Sequence, residues 1–147
     1  MRSNPAKTFL MQYKPLSIQL DSIRREIQRK RESLTSISVQ LKPDVIKGSG
    51  VSDRMAEAIA QIVDAEAQIA DIVGQITKTQ SEILESINSV SNETQKAVLM
   101  LRYVEGLDWI SIQEKIGYER TQTLVLHGRA LVEVNKWMEG KHGSKSN

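Results

Sequence analysis

The sequence predicts an all-α protein in which a long antiparallel coiled-coil helical hairpin is followed by a domain of three short helices. Apolar residues recur at alternating steps of three and four along residues 16–90, which is the spacing of a coiled-coil stripe. Valine and isoleucine follow helical rather than alternating spacing throughout. Only three prolines interrupt the 147 residues, so long helices are possible.

The composition excludes several kinds of protein. The chain has no cysteine, so disulfide scaffolds, thiolate zinc sites and cysteine nucleophiles are excluded. No apolar run approaches the roughly 18 residues that span a bilayer. The start MRSNPAKTFLMQYKP lacks the apolar core of a signal peptide. We therefore expect a cytoplasmic protein with no membrane partner.

Charge is distributed unevenly although the formal net charge is only +2. Residues 1–42 hold nine basic and three acidic side chains, residues 43–90 hold three and eight, and residues 91–147 hold eight and seven. A net charge this small does not by itself indicate a nucleic-acid partner. The basic run IRREIQRKR fits either a solvated helix face or an arm that follows DNA phosphates.

Two apolar stripes predict the hairpin, and a linker separates them. In the linker KPDVIKGSGVSD, Pro43 ends the first helix and the glycines let the chain reverse direction. The first stripe skips one position and contains Leu16, Leu20, Ile23, Ile27, Leu34, Ile37 and Leu41. The second stripe contains Met55, Ile59, Ile62, Glu66, Ile69, Val73, Ile76, Gln80, Ile83, Ile87 and Val90.

The polar interruptions of the stripes predict a register. The residue numbers of facing positions should sum to 96, which places Lys30 opposite Glu66, so that the basic gap in one stripe meets the acidic gap in the other. Such a pair would fix the register more than it would add stability. The stripes either meet only each other, or also join hairpins into a homo-oligomer, because one hairpin buries little surface alone.

Capping and stop signals divide the last third of the chain into short helices. Ser91 or Asn92 can cap the first of them, and Gly106 can end it. Asp108 can cap the second helix, and Gly117 can end it. The apolar positions of the final helix are Thr123, Leu126, Ala130, Leu131, Val134 and Met138. Two helices joined by a tight, glycine-containing turn form a helix-turn-helix unit.

These observations predict a hairpin over residues 1–90, a helix-turn-helix domain over residues 91–138 and a disordered tail over residues 139–147. Gly128, inside the final helix, suggests close packing at that point. His127 is expected to be a packed or surface histidine rather than a metal ligand. The sequence contains no phosphate-binding loop, metal-ligand cluster or nucleophile elbow, so we expect no enzyme and no cofactor.

The last third of the chain resembles a known DNA-binding module. Residues 91–138 are similar to region 4 of sigma factors in the helix end LRYVEGL, in a second helix that closes in IG and in a final helix that closes in RAL. The whole chain resembles RinA-like and ArpU-like phage regulators of late genes. The pattern that carries this resemblance is Gly117, Tyr118, Arg120, Gln122, His127, Gly128, Ala130 and Leu131.

The resemblance implies that a recognition helix over residues 119–138 enters the major groove of double-stranded DNA. Arg120 could contact guanine or a phosphate, and Gln122 could read adenine. Trp109 could brace a phosphate through its indole N–H, or simply pack. The residues implied to contact bases or phosphates are Arg120, Thr121, Gln122, Leu124 and Val125. Leu124 and Val125 also fit a surface that contacts protein.

The expected function is therefore that of a sequence-specific DNA-binding transcriptional regulator, encoded by a phage or prophage and controlling late genes. Paired hairpins would let two modules read two half-sites. The alternative is a protein-interaction module that docks on RNA polymerase or another regulator through the sigma-like domain.

Overall fold

The computed structural model describes the backbone of residues 4–40 and 49–145, and the side chains of residues 4–36 and 53–141. Every regular element in these ranges is a helix, so the predicted all-α class is confirmed. The elements are α1 (Pro5–Leu10), α2 (Tyr13–Gln40), α3 (Ser49–Asn88), α4 (Glu93–Leu99), a π-helical turn (Met100–Val104), α5 (Trp109–Ile116) and α6 (Arg120–Lys145). The predicted turn at Pro43 and the glycines before residue 49 lies outside the described residues.

The chain divides into two compact units that differ from the predicted domains. One unit combines Met1–Ser17 with Thr77–Asn147, and the other is Ile18–Ile76. A boundary at residue 90 was predicted because the apolar stripe of α3 continues that far. The last part of this stripe instead joins the core of the first unit, together with α1.

The unit Ile18–Ile76 contains the middle part of the two predicted stripes, and the described stripe positions in it are mostly buried or half-buried. Leu20 and Ile76 are buried, and most other stripe positions are half-buried, whereas Ile59 is 45% exposed. Residues between the stripe positions of α2 are exposed. This burial pattern is what the heptad spacing requires of each helix.

The predicted pairing of Lys30 with Glu66 is wrong by one residue. Glu66 Oε1 accepts hydrogen bonds from Arg31, at 3.0 Å from Nε and 2.7 Å from Nη2, while Lys30 is exposed. Arg31 lies beside the stripe rather than in it, so its planar guanidinium can reach the carboxylate and stay solvated. Both side chains remain partly exposed, so the ion pair contributes little, about 0.2–1 kcal/mol.

The other unit is built around a core to which α1, α3, α4, the π-helical turn and α6 all contribute. Asn4 caps α1 by accepting the N–H groups of Ala6 and Lys7. After a break at Met11 and Gln12, α2 begins afresh, with Pro15 in its first turn, where a missing N–H costs nothing. The buried core consists of Ala6, Leu10, Ile83, Ile87, Val90, Leu99, Tyr103, Ala130, Leu131 and Val134.

Helix α6 continues to Lys145, so residues 139–145 are helical rather than the predicted disordered tail, and the last two residues lie outside the described part. Side chains of Trp137 and Lys141 contact α1 and α3 and hold this part of α6 in place. The Trp137 ring stacks on Phe9 with ring centroids 6.0 Å apart. Lys141 Nζ lies 4.8 Å from the Trp137 ring and 3.3 Å from Glu85 Oε2.

We expect Leu10→Ala to lower the free energy of unfolding by about 3 kcal/mol, because it leaves a cavity in a core where Leu10 is fully buried. Met11→Ala is the matched control, since Met11 is 56% exposed and should change stability by less than about 0.5 kcal/mol. Urea unfolding followed by tryptophan fluorescence measures both, because both tryptophans lie in this unit. Equal effects of the two substitutions would contradict the assignment of α1 to the core.

Candidate nucleic-acid interface

The hydrogen bonds of the turn before α5 span more residues than those at the end of an ordinary α-helix. Gly106 has the left-handed φ of +75° that a helix stop requires, as predicted. The N–H of Glu105 donates to Met100 O at 3.0 Å, and the N–H of Leu107 donates to Leu101 O at 2.9 Å. These bonds span five and six residues, so the helix ends in a π-type turn, which the sequence did not predict.

Helix α5 has both of its predicted end signals. Asp108 Oδ1 accepts the N–H of Ser111 at 2.8 Å, and this hydrogen bond holds the pKa of Asp108 below its usual value. Gly117 ends the helix with a φ of +76°, and its N–H donates to Gln113 O at 2.9 Å. Both glycine turns therefore depend on a backbone conformation that a side chain would strain.

Helix α6 begins at Arg120, one residue after the predicted start. Thr123 fixes its first turn, because its Oγ1 donates to Glu119 O at 2.8 Å and its N–H donates to the same oxygen at 2.9 Å. Thr123 is fully buried, as its inner position in the apolar spacing predicted. Only Gly117, Tyr118 and Glu119 separate α5 from α6, so the two helices form a tight helix-turn-helix arrangement.

His127 joins α6 to the preceding helices. Its Nε2 shares a hydrogen bond of 2.7 Å with the Tyr103 hydroxyl, and the Trp109 ring meets it edge-on at 4.8 Å between centroids. Burial lowers the pKa of His127 to about 4, assisted by the positive charges of Lys7 and Arg102. The imidazole is therefore neutral near pH 7 and serves as a packed, hydrogen-bonded group.

Trp109 packs between two side chains of the same unit. One ring edge meets His127, and the Arg102 guanidinium lies 4.6 Å from the ring centroid. Arg102 also donates to Leu107 O at 3.1 Å, so it ties the π-type turn to the start of α5. Trp109 is thus placed as a half-buried packing residue, and its role as a phosphate brace stays a prediction.

All five residues of α6 that the resemblance marked for DNA contact are exposed. Arg120, Thr121 and Gln122 form the first turn, and Leu124 and Val125 follow at 38% and 47% exposure. The opposite side of α6 is buried in the core. The fold therefore presents one face of the first two turns of α6 to solvent, while Thr123 lies on the buried face.

Two further features of this face were not predicted. A Cβ built on Gly128 would meet no atom within 4 Å, so the predicted close packing at Gly128 is wrong. Val132 is 52% exposed and extends the apolar surface of Leu124 and Val125 along α6. The sequence could have indicated this surface, because Leu124, Gly128 and Val132 are spaced four residues apart and therefore lie on one face of the helix.

A shallow groove lies on another part of the same unit, between the end of α3 and α4. Its volume is about 520 Å³. Apolar side chains of Leu84, Ile87 and Met100 line it, and Lys96 and Glu85 stand among them. The sequence analysis did not identify this groove.

Within the described side chains, no group of three His, Asp or Glu residues could hold a metal ion. The helices of the described part include none that is apolar over enough length to cross a membrane. Comparisons of the chain with models of protein families, with curated proteins and with solved structures found no match.

The low pKa of His127 predicts a pH dependence of stability. The His127 side chain binds a proton near pH 6.5 in the unfolded chain but only near pH 4 in the folded chain. The contribution of neutral His127 to the free energy of unfolding is therefore complete above about pH 6.5 and is lost as the pH falls towards 4. We expect the wild type to lose on the order of 2 kcal/mol over this range relative to His127→Gln. Chemical denaturation at a series of pH values measures the difference, and parallel profiles would contradict a buried neutral imidazole.

Proposed function

We propose that this chain is a non-enzymatic, sequence-specific DNA-binding transcriptional regulator, encoded by a phage or prophage and acting on late genes. The observation that carries the proposal is the exposure of one face of the first two turns of α6, which is the second helix of a tight helix-turn-helix. The first seven residues of α6 span about 10 Å, which suits a major groove about 12 Å wide. Arg120 and Gln122 stand at the start of this helix, where base contacts are made.

The charge of α6 supports this proposal. Residues 120–132 contain two arginines and no acidic side chain. Arg120 and Arg129 are both exposed, and neither takes part in an ion pair that the structure records among the described residues. Arginines in this state are available to phosphate oxygens or guanine edges. Glu119 precedes the helix and limits this positive potential.

The stripes of α2 and α3 support a second part of the proposal, in which they form an antiparallel coiled-coil hairpin that joins protomers. Large apolar side chains of α3 remain exposed outside the main stripe, with Val63 at 57% and Ile72 at 47%. A helix that is apolar beyond one stripe favours more than one partner. A homo-oligomer of this kind would present two copies of α6 to two half-sites.

The test uses duplex DNA that the wild-type protein enriches from a random-sequence library. Fluorescence anisotropy should give binding that weakens as salt rises, because phosphate contacts release counterions. We expect Arg120→Ala/Gln122→Ala to weaken binding by about tenfold or more, since each base contact contributes roughly 1–3 kcal/mol of discrimination.

The matched control is Arg54→Ala/Gln61→Ala, which removes the same two exposed residue types from α3. This control should bind DNA like the wild type. Equal losses in both double variants would contradict a site on α6. Failure of the wild type to enrich any sequence, together with no binding at low salt, would overturn the proposal as a whole.

A second function is favoured by the apolar groove of Leu84, Ile87 and Met100. A helix or loop of another protein fits such a surface better than DNA does, because the groove offers apolar area with few cations. In that case the chain would dock on RNA polymerase or another regulator. Retention of the chain by immobilised, purified bacterial RNA polymerase without DNA would favour this alternative.

A further inference from the structure

The outward face of α6 beyond its first turn is apolar. Leu124, Val125 and Val132 are 38%, 47% and 52% exposed, and each lies three or four residues from Gly128. Nothing in the described part of the protein approaches the position of a Cβ on Gly128. Its φ is not positive, so the backbone does not require glycine there. At Gly128 the helix backbone carries no side chain, so the surface of a binding partner could approach it closely between the large exposed side chains.

Gly140 lies in the same helix and serves as a comparison for the surroundings of Gly128. A Cβ on Gly140 would also meet nothing within 4 Å. The residue four positions before Gly140 is the exposed, charged Lys136, whereas Leu124 and Val132 stand four positions on either side of Gly128. Of these two open glycines of α6, Gly128 is the one that coincides with an apolar patch.

The charges within the patch favour a polyanion, although Glu119 and Glu133, the latter paired with Lys136, flank residues 120–132. Arg120 precedes the patch and Arg129 lies inside it, and residues 120–132 include no acidic side chain that would favour a basic partner. The major groove of DNA is a polyanionic surface whose one apolar group is the C5 methyl of thymine. The part of the patch that follows Arg120, formed by Leu124 and Val125, matches that combination of phosphate and methyl groups.

We propose that Leu124 and Val125 read thymine methyl groups in the major groove, with Gly128 letting the helix backbone lie close to the DNA. This inference rests on the proposed DNA-binding function and specifies the bases that α6 selects. Thymine readout by apolar contact would complement the polar readout by Arg120 and Gln122. The selected sites should therefore contain thymine at fixed positions.

The test replaces single thymines by uracil in the enriched duplex, which removes one methyl group and preserves base pairing. Wild-type affinity should fall about fourfold at each contacted thymine, the effect of losing one buried methyl group. Val125→Ala should bind the thymine duplex more weakly and should lose most of its sensitivity to uracil at one position. Fluorescence anisotropy at constant salt measures the four combinations of protein and DNA.

Val132→Ala is the matched control. Val132 is the same residue type on the same face with similar exposure, but it lies about 10 Å further along the helix. A straight helix leaves the curved groove over that distance, so Val132→Ala should keep both the affinity and the uracil sensitivity of the wild type. If both valine variants lose affinity for purified bacterial RNA polymerase and neither variant changes DNA binding, the patch is a protein-docking surface and the inference is overturned.

Gly128→Ala and Gly140→Ala form a second matched pair. Both should raise the melting temperature, because alanine favours the helix and both positions are open. Only Gly128→Ala should weaken DNA binding. DNA binding that requires Arg120 and Gln122 but is insensitive to uracil would overturn this inference and leave the proposed function standing. No DNA binding by the wild type would overturn both.

Discussion

Helix α6 places Ala130, Leu131 and Val134 in a core that it shares with α1 and the end of α3. This burial fixes the rotation of α6 about its own axis, because turning the helix would expose apolar area worth roughly 25 cal/mol for each Å². Once the inner face is fixed, the 3.6-residue period determines which side chains face outward. Arg120, Gln122 and Val125 are then exposed as a consequence of packing at residues they do not touch.

The start of α6 is also held by hydrogen bonds, one of which reaches Tyr103 of the same core. Thr123 closes the first turn on the carbonyl of Glu119, and His127 bonds to Tyr103 across the unit. Trp109 and Arg102 extend this contact to the turn before α5. A rigid scaffold of this kind favours recognition, since side chains that are already oriented lose less freedom when they bind.

Local features of this chain could be predicted from its sequence, and non-local contacts could not. The caps at Asn92 and Asp108 and the stops at Gly106 and Gly117 depend on a few neighbouring residues, and the structure has each of them. Heptad spacing marked positions that are buried or half-buried among the described residues, with Ile59 as the exception. It could not decide between Lys30 and Arg31, because side-chain length and direction determine which basic group reaches Glu66.

The missed features depend on residues far apart in the sequence. Phe9 stacks on Trp137, and Asn135 Nδ2 donates to Asn4 Oδ1 at 3.4 Å. No periodic pattern connects these positions, so the inclusion of α1 in the unit of α6 and the extension of α6 past residue 138 were not predicted. The openness at Gly128 was missed for a similar reason, since a glycine inside a helix indicates close approach without indicating from which side.

The central claim is that DNA binds the outward face at the start of α6. The most direct measurement is a titration of the ¹⁵N-labelled chain with its enriched duplex, followed by backbone amide chemical shifts. We expect the largest changes at Thr121, Gln122 and Val125, and small changes at Leu84 and Met100 in the groove. Changes centred on the groove, or no changes at α6 while DNA binds, would contradict the account.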